Sequence, residues 1–146
     1  DNENRDRIYC FIQDYPGIYF NQIAKNLSLS NYILAWHLKM LMQFEFIRSK
    51  EIENHEAFFD ENLPPGNDAL YFVMSLEKSR AILDFMMDHP EGVTKTKLSR
   101  KLSMHPSTAS KYLKKLENKS ILLKKKLPRK TIYFLNEKLY HGLLNG

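Results

Sequence analysis

Apolar residues recur along this chain at two spacings, and each change of spacing marks an element. From Arg5 to Tyr15, Ile8, Phe11, Ile12 and Tyr15 fall on one helical face, and Pro16-Gly17 stops the helix. A short helix is expected over Phe20 to Leu27, with Ile23, Ala24 and Leu27 inward. Ser30 is placed to cap a third helix, which reaches about Met42 and buries Leu34, Leu38 and Leu41. Phe46 to Ile52 and Glu56 to Phe59 read as strands joined at Glu53-Asn54-His55, a hairpin of the kind called a wing. The stretch Asp60 to Asp68, "DENLPPGND", is rich in turn formers and has no period, so it reads as a linker. Ala69 to Met74 is continuously apolar and is expected as a helical connector, with a strand as the alternative.

The second half repeats this plan. A shift of 75 residues superposes Ile23 to Leu41 on Leu98 to Leu116 without a gap, matching Lys25 with Arg100, Leu27 with Leu102, Ser28 with Ser103, Leu38 with Leu113, Lys39 with Lys114 and Leu41 with Leu116. Upstream, a shift of 74 matches Ile8 with Ile82, Ile12 with Met86 and Pro16 with Pro90. Self-similarity at one period over so many core positions predicts two copies of one unit. After a helix over 76–88, the second copy runs helix, tight turn, helix and basic hairpin from Lys97 to Phe134. A tail helix is spaced by Leu135, Leu139 and Leu143 within 135–146.

On the later helix of that copy Ala109, Leu113 and Leu116 share a face, to be buried. The opposite face is thereby fixed: Ser107, Lys111 and Lys114, with Thr108, Ser110 and Lys115 at its edges. Short hydroxyls among long cations suit a helix in the DNA major groove, where hydroxyls reach base edges and lysines meet phosphates. The following hairpin adds Lys124, Lys125, Lys126, Arg129 and Lys130. An ordinary solvated helix face is the bland reading; a basic wing beside the helix argues against it.

Charge supports the same end of the chain. Residues 1–60 hold six Lys and Arg against nine Asp and Glu, whereas residues 75–146 hold sixteen against six. The later half, near +10, attracts a polyanion that the earlier half, near −3, repels. The single Cys10 excludes an internal disulfide and a Cys-pair zinc site. No apolar run reaches the roughly 18 to 20 residues that span a bilayer, and the N-terminus lacks a signal pattern, so a soluble, cytoplasmic protein without a membrane partner is expected. The chain opens at Asp1 without Met, so a fragment or processed chain is expected. At 146 residues the length fits two small domains as well as one larger one, and the repetition decides for two.

The residues Leu98, Leu102, Ser107-Thr108-Ala109-Ser110, Leu113-Lys114, Leu116-Glu117 and Ile121-Leu122 resemble the helix-turn-helix and wing of the ArsR-type and MarR-type winged-helix repressors. His105 stands where that pattern has a capping Ser, followed by Pro106, whose fixed φ suits a first helical turn. The whole layout, with Pro16-Gly17, Ala35-Trp36-His37-Leu38 and the paired order of units, is similar to archaeal predicted regulators with two winged helix-turn-helix domains. That resemblance implies a mainly α fold with small β-hairpin wings, an α+β arrangement of tandem winged helix-turn-helix domains. It also implies a regulator of transcription.

In the first copy, Tyr32, Ala35, Trp36 and Lys39 stand where the second has Ser107, Ser110, Lys111 and Lys114, and its wing carries Glu51, Glu53 and Glu56. Tyr32, Ile33 and Trp36 are therefore read as a protein interface. A singly exposed Trp, or DNA contact by Tyr32 and Trp36 as the resemblance implies, are the alternatives. Cys10 is expected to be partly buried and inert. The five histidines lack metal-ligand spacing, and His37 is expected as a hydrogen-bonded core-edge residue. No phosphate loop, Ser-His-Asp set or inward carboxylate pair stands out, so no catalysis, metal or cofactor is expected.

The expected organisation is an N-terminal winged helix over 1–60, a linker over 61–75 and a DNA-binding winged helix over 76–146. The expected function is sequence-specific binding of double-stranded DNA by a homodimeric transcriptional regulator. Ser107, Thr108, Ser110 and Lys111 would face bases, and Lys114, Lys115, Lys125, Lys126, Arg129 and Lys130 phosphates; no feature indicates a small-molecule effector. The alternative is a tandem winged-helix protein-interaction scaffold that does not bind DNA.

Overall fold

Three helices, α1 (Asn2–Asp14), α2 (Phe20–Leu27) and α3 (Asn31–Gln43), are followed by an antiparallel hairpin of β1 (Ile47–Ile52) and β2 (His55–Asp60). The computed structural model describes residues 2–145, so Asp1 and Gly146, which lie in the expected first domain and tail helix, are outside it. Ser30 caps α3 as expected, its hydroxyl accepting from the Ile33 N–H at 3.2 Å. The hairpin turns on two residues, Glu53 and Asn54, both left-handed at φ 49° and 66°. Left-handed backbone at both central positions twists a two-residue turn to match its strands, which draws His55 into β2 opposite Ile52. Ile8, Ile12, Ile18, Ile23, Leu34, Leu38, Leu41, Ile47 and Phe58 form the core of this part.

Residues 61–75, expected as a linker, belong structurally to the first of two compact units, Asp1–Ser75. A 3-10 turn (Pro65–Asn67) leads into α4 (Asp68–Ser75). At its start Asp68 takes both guanidinium ends of Arg48 from β1, at 2.7 and 2.9 Å, and Arg48 also donates to the Leu63 carbonyl at 2.9 Å. Phe72 of α4 packs near Tyr19 and His55. A Cβ on Gly17, which stands at φ +87°, would come within 2.7 Å of the Phe72 backbone, so the approach of α4 admits only glycine there. This covering explains why Ala57, Phe58 and Phe59 are all buried rather than alternating: Phe58 enters the core, while Phe59, on the other pleat, lies under the Arg48 guanidinium.

The second unit, Leu76–Gly146, holds α5 (Glu77–Met87), β3 (Val93–Thr94), α6 (Lys95–Lys101), α7 (Pro106–Asn118), β4 (Leu122–Lys126), β5 (Thr131–Leu135) and α8 (Glu137–Asn145). Its sheet has three strands in the order β3-β5-β4, all antiparallel neighbours. The two-residue β3 was not expected; Tyr19, which bridges to Ala57, takes the corresponding place in the first unit. The tail helix begins after Leu135, which is in β5, and buries Tyr140. Burial, and then the charge of Asp84, raise the Tyr140 hydroxyl above its ordinary pKa.

Backbone geometry repeats with the sequence. Left-handed residues at Gly17, Ser28 and Glu45 recur at Gly92, Ser103 and Ser120, each 75 positions on. Ser28 and Ser103 end α2 and α6, and Glu45 and Ser120 turn the chain from α3 and α7 into their hairpins.

Candidate nucleic-acid interface

α7 is set by its apolar stripe. Ala109, Leu113 and Leu116 are fully or almost fully buried, as their spacing required, which turns Ser107, Lys111 and Lys114 outward. The helix starts at Pro106, and His105 caps it: its Nδ1 accepts from the Ser107 N–H at 3.1 Å. The Ser107 hydroxyl stands 2.7 Å from the same nitrogen. Ser107 is therefore engaged with its own cap in the free protein: its hydroxyl donates to a base only by leaving that contact, while its lone pairs stay open to accept.

The other expected residues divide by position on the helix. Ser110 and Lys114 lie on the side facing the wing, while Thr108 and Lys115 are half-buried on the far edge. Lys111 is central and exposed, its ammonium 5.6 Å from the centre of the Tyr112 ring.

The wing lysines are split by the pleat. Leu122 is buried, so Lys124 and Lys126 extend from the same face of β4, while Lys125 shares the opposite face with exposed Leu123. Lys125 thus faces away from Lys126, contrary to a single continuous set. Arg129 and Lys130 are exposed in the turn between the strands, which the Leu127 N–H closes onto the Lys130 carbonyl at 2.8 Å.

Between α7 and the hairpin runs an open groove of about 550 Å³. Ser110, Lys114 and Glu117 line it from α7, Lys124 and Tyr133 from the strands, and Lys95 from the start of α6. Lys95 was missed because nothing local relates it to α7. Lys124 could have been placed by counting alternate positions from buried Leu122. Its ammonium meets the Glu117 carboxylate at 3.0 Å, and that hydrogen bond, then the carboxylate charge, raise its pKa above the ordinary lysine value. Three lysines, Lys95, Lys114 and Lys124, line the groove beside a helix face of hydroxyls and lysines, a charge that favours a phosphodiester backbone.

The corresponding surface of the first unit has the opposite character. Ser107, Thr108, Lys111, Lys115 and Lys119 are replaced, 75 positions earlier, by Tyr32, Ile33, Trp36, Met40 and Phe44. Tyr32 is 83% exposed, Trp36 51% and Phe44 62%, and Ile33 and Phe46 are exposed beside them. Of the two cations of its hairpin, Arg48 and Lys50, the first is held by Asp68 and turned onto Phe59. His37 is buried as expected and accepts from the Arg5 guanidinium at 3.3 Å. Cys10, expected partly buried, is exposed.

Among the described residues no group of three or more His, Cys, Asp or Glu is placed to hold a metal ion, and no helix is long and apolar enough to cross a membrane.

The family model of the IclR helix-turn-helix domain matches residues 75–125, which span α5 to most of β4. That match supports a DNA-binding helix-turn-helix in the second unit; the matching model is the IclR one, not the ArsR or MarR type expected from the motif. An uncharacterized HTH-type transcriptional regulator of Methanocaldococcus jannaschii is 28% identical over 138 residues, 94% of this chain. The chain spans about a third, 34%, of that relative's length. The crystal structure of ScpB from Mycobacterium tuberculosis aligns over 98% of this chain and 96% of its own at 13% identity, with a TM-score of 0.36, too low to bear on fold or function.

Proposed function

We propose that the chain belongs to a transcriptional regulator built from two winged helices, in which the second binds double-stranded DNA and the first associates with a second copy. The observation that carries this reading is the junction of α7 with its wing. Ser110 and Lys114 of α7 and Lys124 of the hairpin border one groove, Lys126, Arg129 and Lys130 stand exposed further along the same hairpin, and a duplex entering the major groove with α7 brings a backbone strand along it. Lys111 and Ser110 stand nearest the base edges in this reading, with Ser107 joining them as an acceptor, or as a donor once released from His105. Lys114, Lys126, Arg129 and Lys130 meet phosphates. Thr108, Lys115 and Lys125 contribute at the margins, from the far edge of α7 and the outer face of the wing. No chemistry is asked of the protein. The name of the archaeal relative, an HTH-type transcriptional regulator, supports the regulator part of this reading.

The test is a fluorescence-anisotropy titration of duplex DNA across a salt series. If four to six lysines and arginines neutralise phosphates, log K against log salt has a slope of roughly −4 to −5 per chain. Replacing Lys111 and Arg129 together with Ala weakens binding and flattens the slope. Unchanged binding by that variant overturns the assignment.

A second reading, an interaction scaffold without DNA binding, is favoured by the apolar face of α3. It requires that the same double variant retain every interaction of the wild-type protein and that the wild type bind no duplex.

A further inference from the structure

Among the described residues, Glu117 is the only acidic side chain lining the groove between α7 and the wing, beside three lysines, Lys95, Lys114 and Lys124. It stands on α7 one turn beyond Lys114, on the side facing the hairpin. Its carboxylate holds the Lys124 ammonium at 3.0 Å, and both side chains are about a third exposed or less, at 27% and 36%. Lys124 is fixed on the groove side of β4 by the burial of Leu122 two residues before it, and it pairs across the sheet with Tyr133, which also lines the groove.

We propose that Glu117 sets the grip of this groove on the DNA backbone, holding Lys124 in the free protein and yielding it only against repulsion between its own carboxylate and the entering phosphate. The inference rests on the DNA-binding reading and sharpens it. A lysine compensated by a neighbouring carboxylate neutralises no phosphate and releases no counterion, so Lys124 adds nothing to sequence-independent affinity while Glu117 is charged. Like charges brought close in a partly desolvated channel repel, so the carboxylate also weakens the contribution of Lys114 beside it. The effect falls equally on every duplex. What remains to hold the protein at a site is the base-facing surface of α7, so Glu117 favours discrimination at the expense of raw affinity.

The experiment uses the whole chain and a 20-base-pair duplex of random sequence, titrated by fluorescence anisotropy between 50 and 200 mM KCl. Glu117→Gln keeps the size and the hydrogen-bonding oxygen while removing the charge. It is expected to tighten binding roughly 3- to 10-fold at the lowest salt and to steepen the slope by about 0.9, the contribution of one added phosphate contact. Lys124→Gln in the Glu117→Gln background is expected to cancel the added slope and to remove the part of the gain that Lys124 supplies. Surface ion pairs add little to stability, so both variants fold, which circular dichroism checks. If Glu117→Gln leaves affinity and slope unchanged, or if the steeper slope survives Lys124→Gln undiminished, the proposal is wrong. Its failure is separable from that of the underlying reading: where this proposal alone fails, the Lys111 and Arg129 double variant still weakens binding, and where the DNA-binding reading fails, it does not.

Discussion

Arg48 on β1 and Asp68 at the head of α4 form a two-pronged ion pair, 2.7 and 2.9 Å long, that fastens residues 61–75 onto the hairpin of the first unit. Asp68 is 2% exposed and Arg48 22%. The Asp68 hydrogen bond is the main influence raising the Arg48 pKa further above its ordinary value. Because the carboxylate is buried, deleting it leaves a guanidinium poorly hydrated and unpaired. Asp68→Ala should lower unfolding stability by about 2–4 kcal/mol, toward the lower end of what a broken buried pair costs because Arg48 keeps some access to water. Urea denaturation followed by circular dichroism measures it, and a loss below about 0.5 kcal/mol would sink the claim that α4 is anchored here.

The same docking is tested from the other side at Gly17. Alanine there meets both a left-handed backbone at φ +87° and the Phe72 backbone at 2.7 Å, neither of which a flexible side chain can relieve. The expected loss is about 2–4 kcal/mol from left-handed strain plus overpacking. Gly66→Ala, with nothing within 4 Å of the new methyl group, is the control and should stay within about 0.5 kcal/mol of wild type. Equal thermal midpoints for the two variants would contradict the packing described.

These contacts also mark where the sequence stopped being legible. Helices with a strong apolar stripe, such as α7 with Ala109, Leu113 and Leu116, could be drawn almost to their ends, because burial and period carry the same information. Ser30 and the pause at Pro16-Gly17 gave boundaries for local reasons. The docking of α4 had no such signature: Arg48 and Asp68 are twenty residues apart, and "DENLPPGND" reads as a linker whether or not it packs. Two residues, Val93 and Thr94, are too few to display strand alternation, so β3 was silent. At the interface, the outward residues of α7 followed from its core face. The division of the wing lysines was equally available from Leu122 by alternation, yet a run of three lysines reads as one patch until the pleat is counted. That Glu117 closes on Lys124 depends on how a helix and a strand approach, which no local pattern encodes.

His37 gives the first unit a pH dependence. It is 1% exposed, and its Nδ1 accepts from Arg5, so the ring is neutral where it sits. Burial first, and the Arg5 charge in addition, hold its pKa below the ordinary histidine value. The unfolded chain, with a pKa of about 6.5, then binds more protons than the folded one as pH falls below that value. Stability is fully present above the unfolded pKa, declines as pH drops through the interval down to the folded pKa, and levels off beneath it. His37→Gln, which keeps a hydrogen-bonding side chain without the titration, should reduce the difference in urea midpoint between pH 7.5 and pH 5. An identical difference in wild type and variant would remove His37 as its source.

Self-association through the apolar face of α3 is a proposal, and the repeat supplies its own test. Tyr32→Ser and Trp36→Lys install the residues found 75 positions later, at Ser107 and Lys111, on an equivalent helix. Both original side chains are more than half exposed, so their replacement should change unfolding stability by no more than about 0.5 kcal/mol. An aromatic anchor at the centre of an interface typically contributes about 2 kcal/mol, so the double variant should dissociate at concentrations at least roughly 30-fold higher than wild type. Sedimentation velocity over a dilution series reads this directly. A wild-type protein that remains monomeric at every concentration, or a variant whose dimer is as tight as the parent's, would show that Tyr32, Ile33 and Trp36 do not join two copies. In a dimer joined there, each copy carries its own α7, so the variant should also lose affinity for a two-fold site while its affinity for a half-site is unchanged.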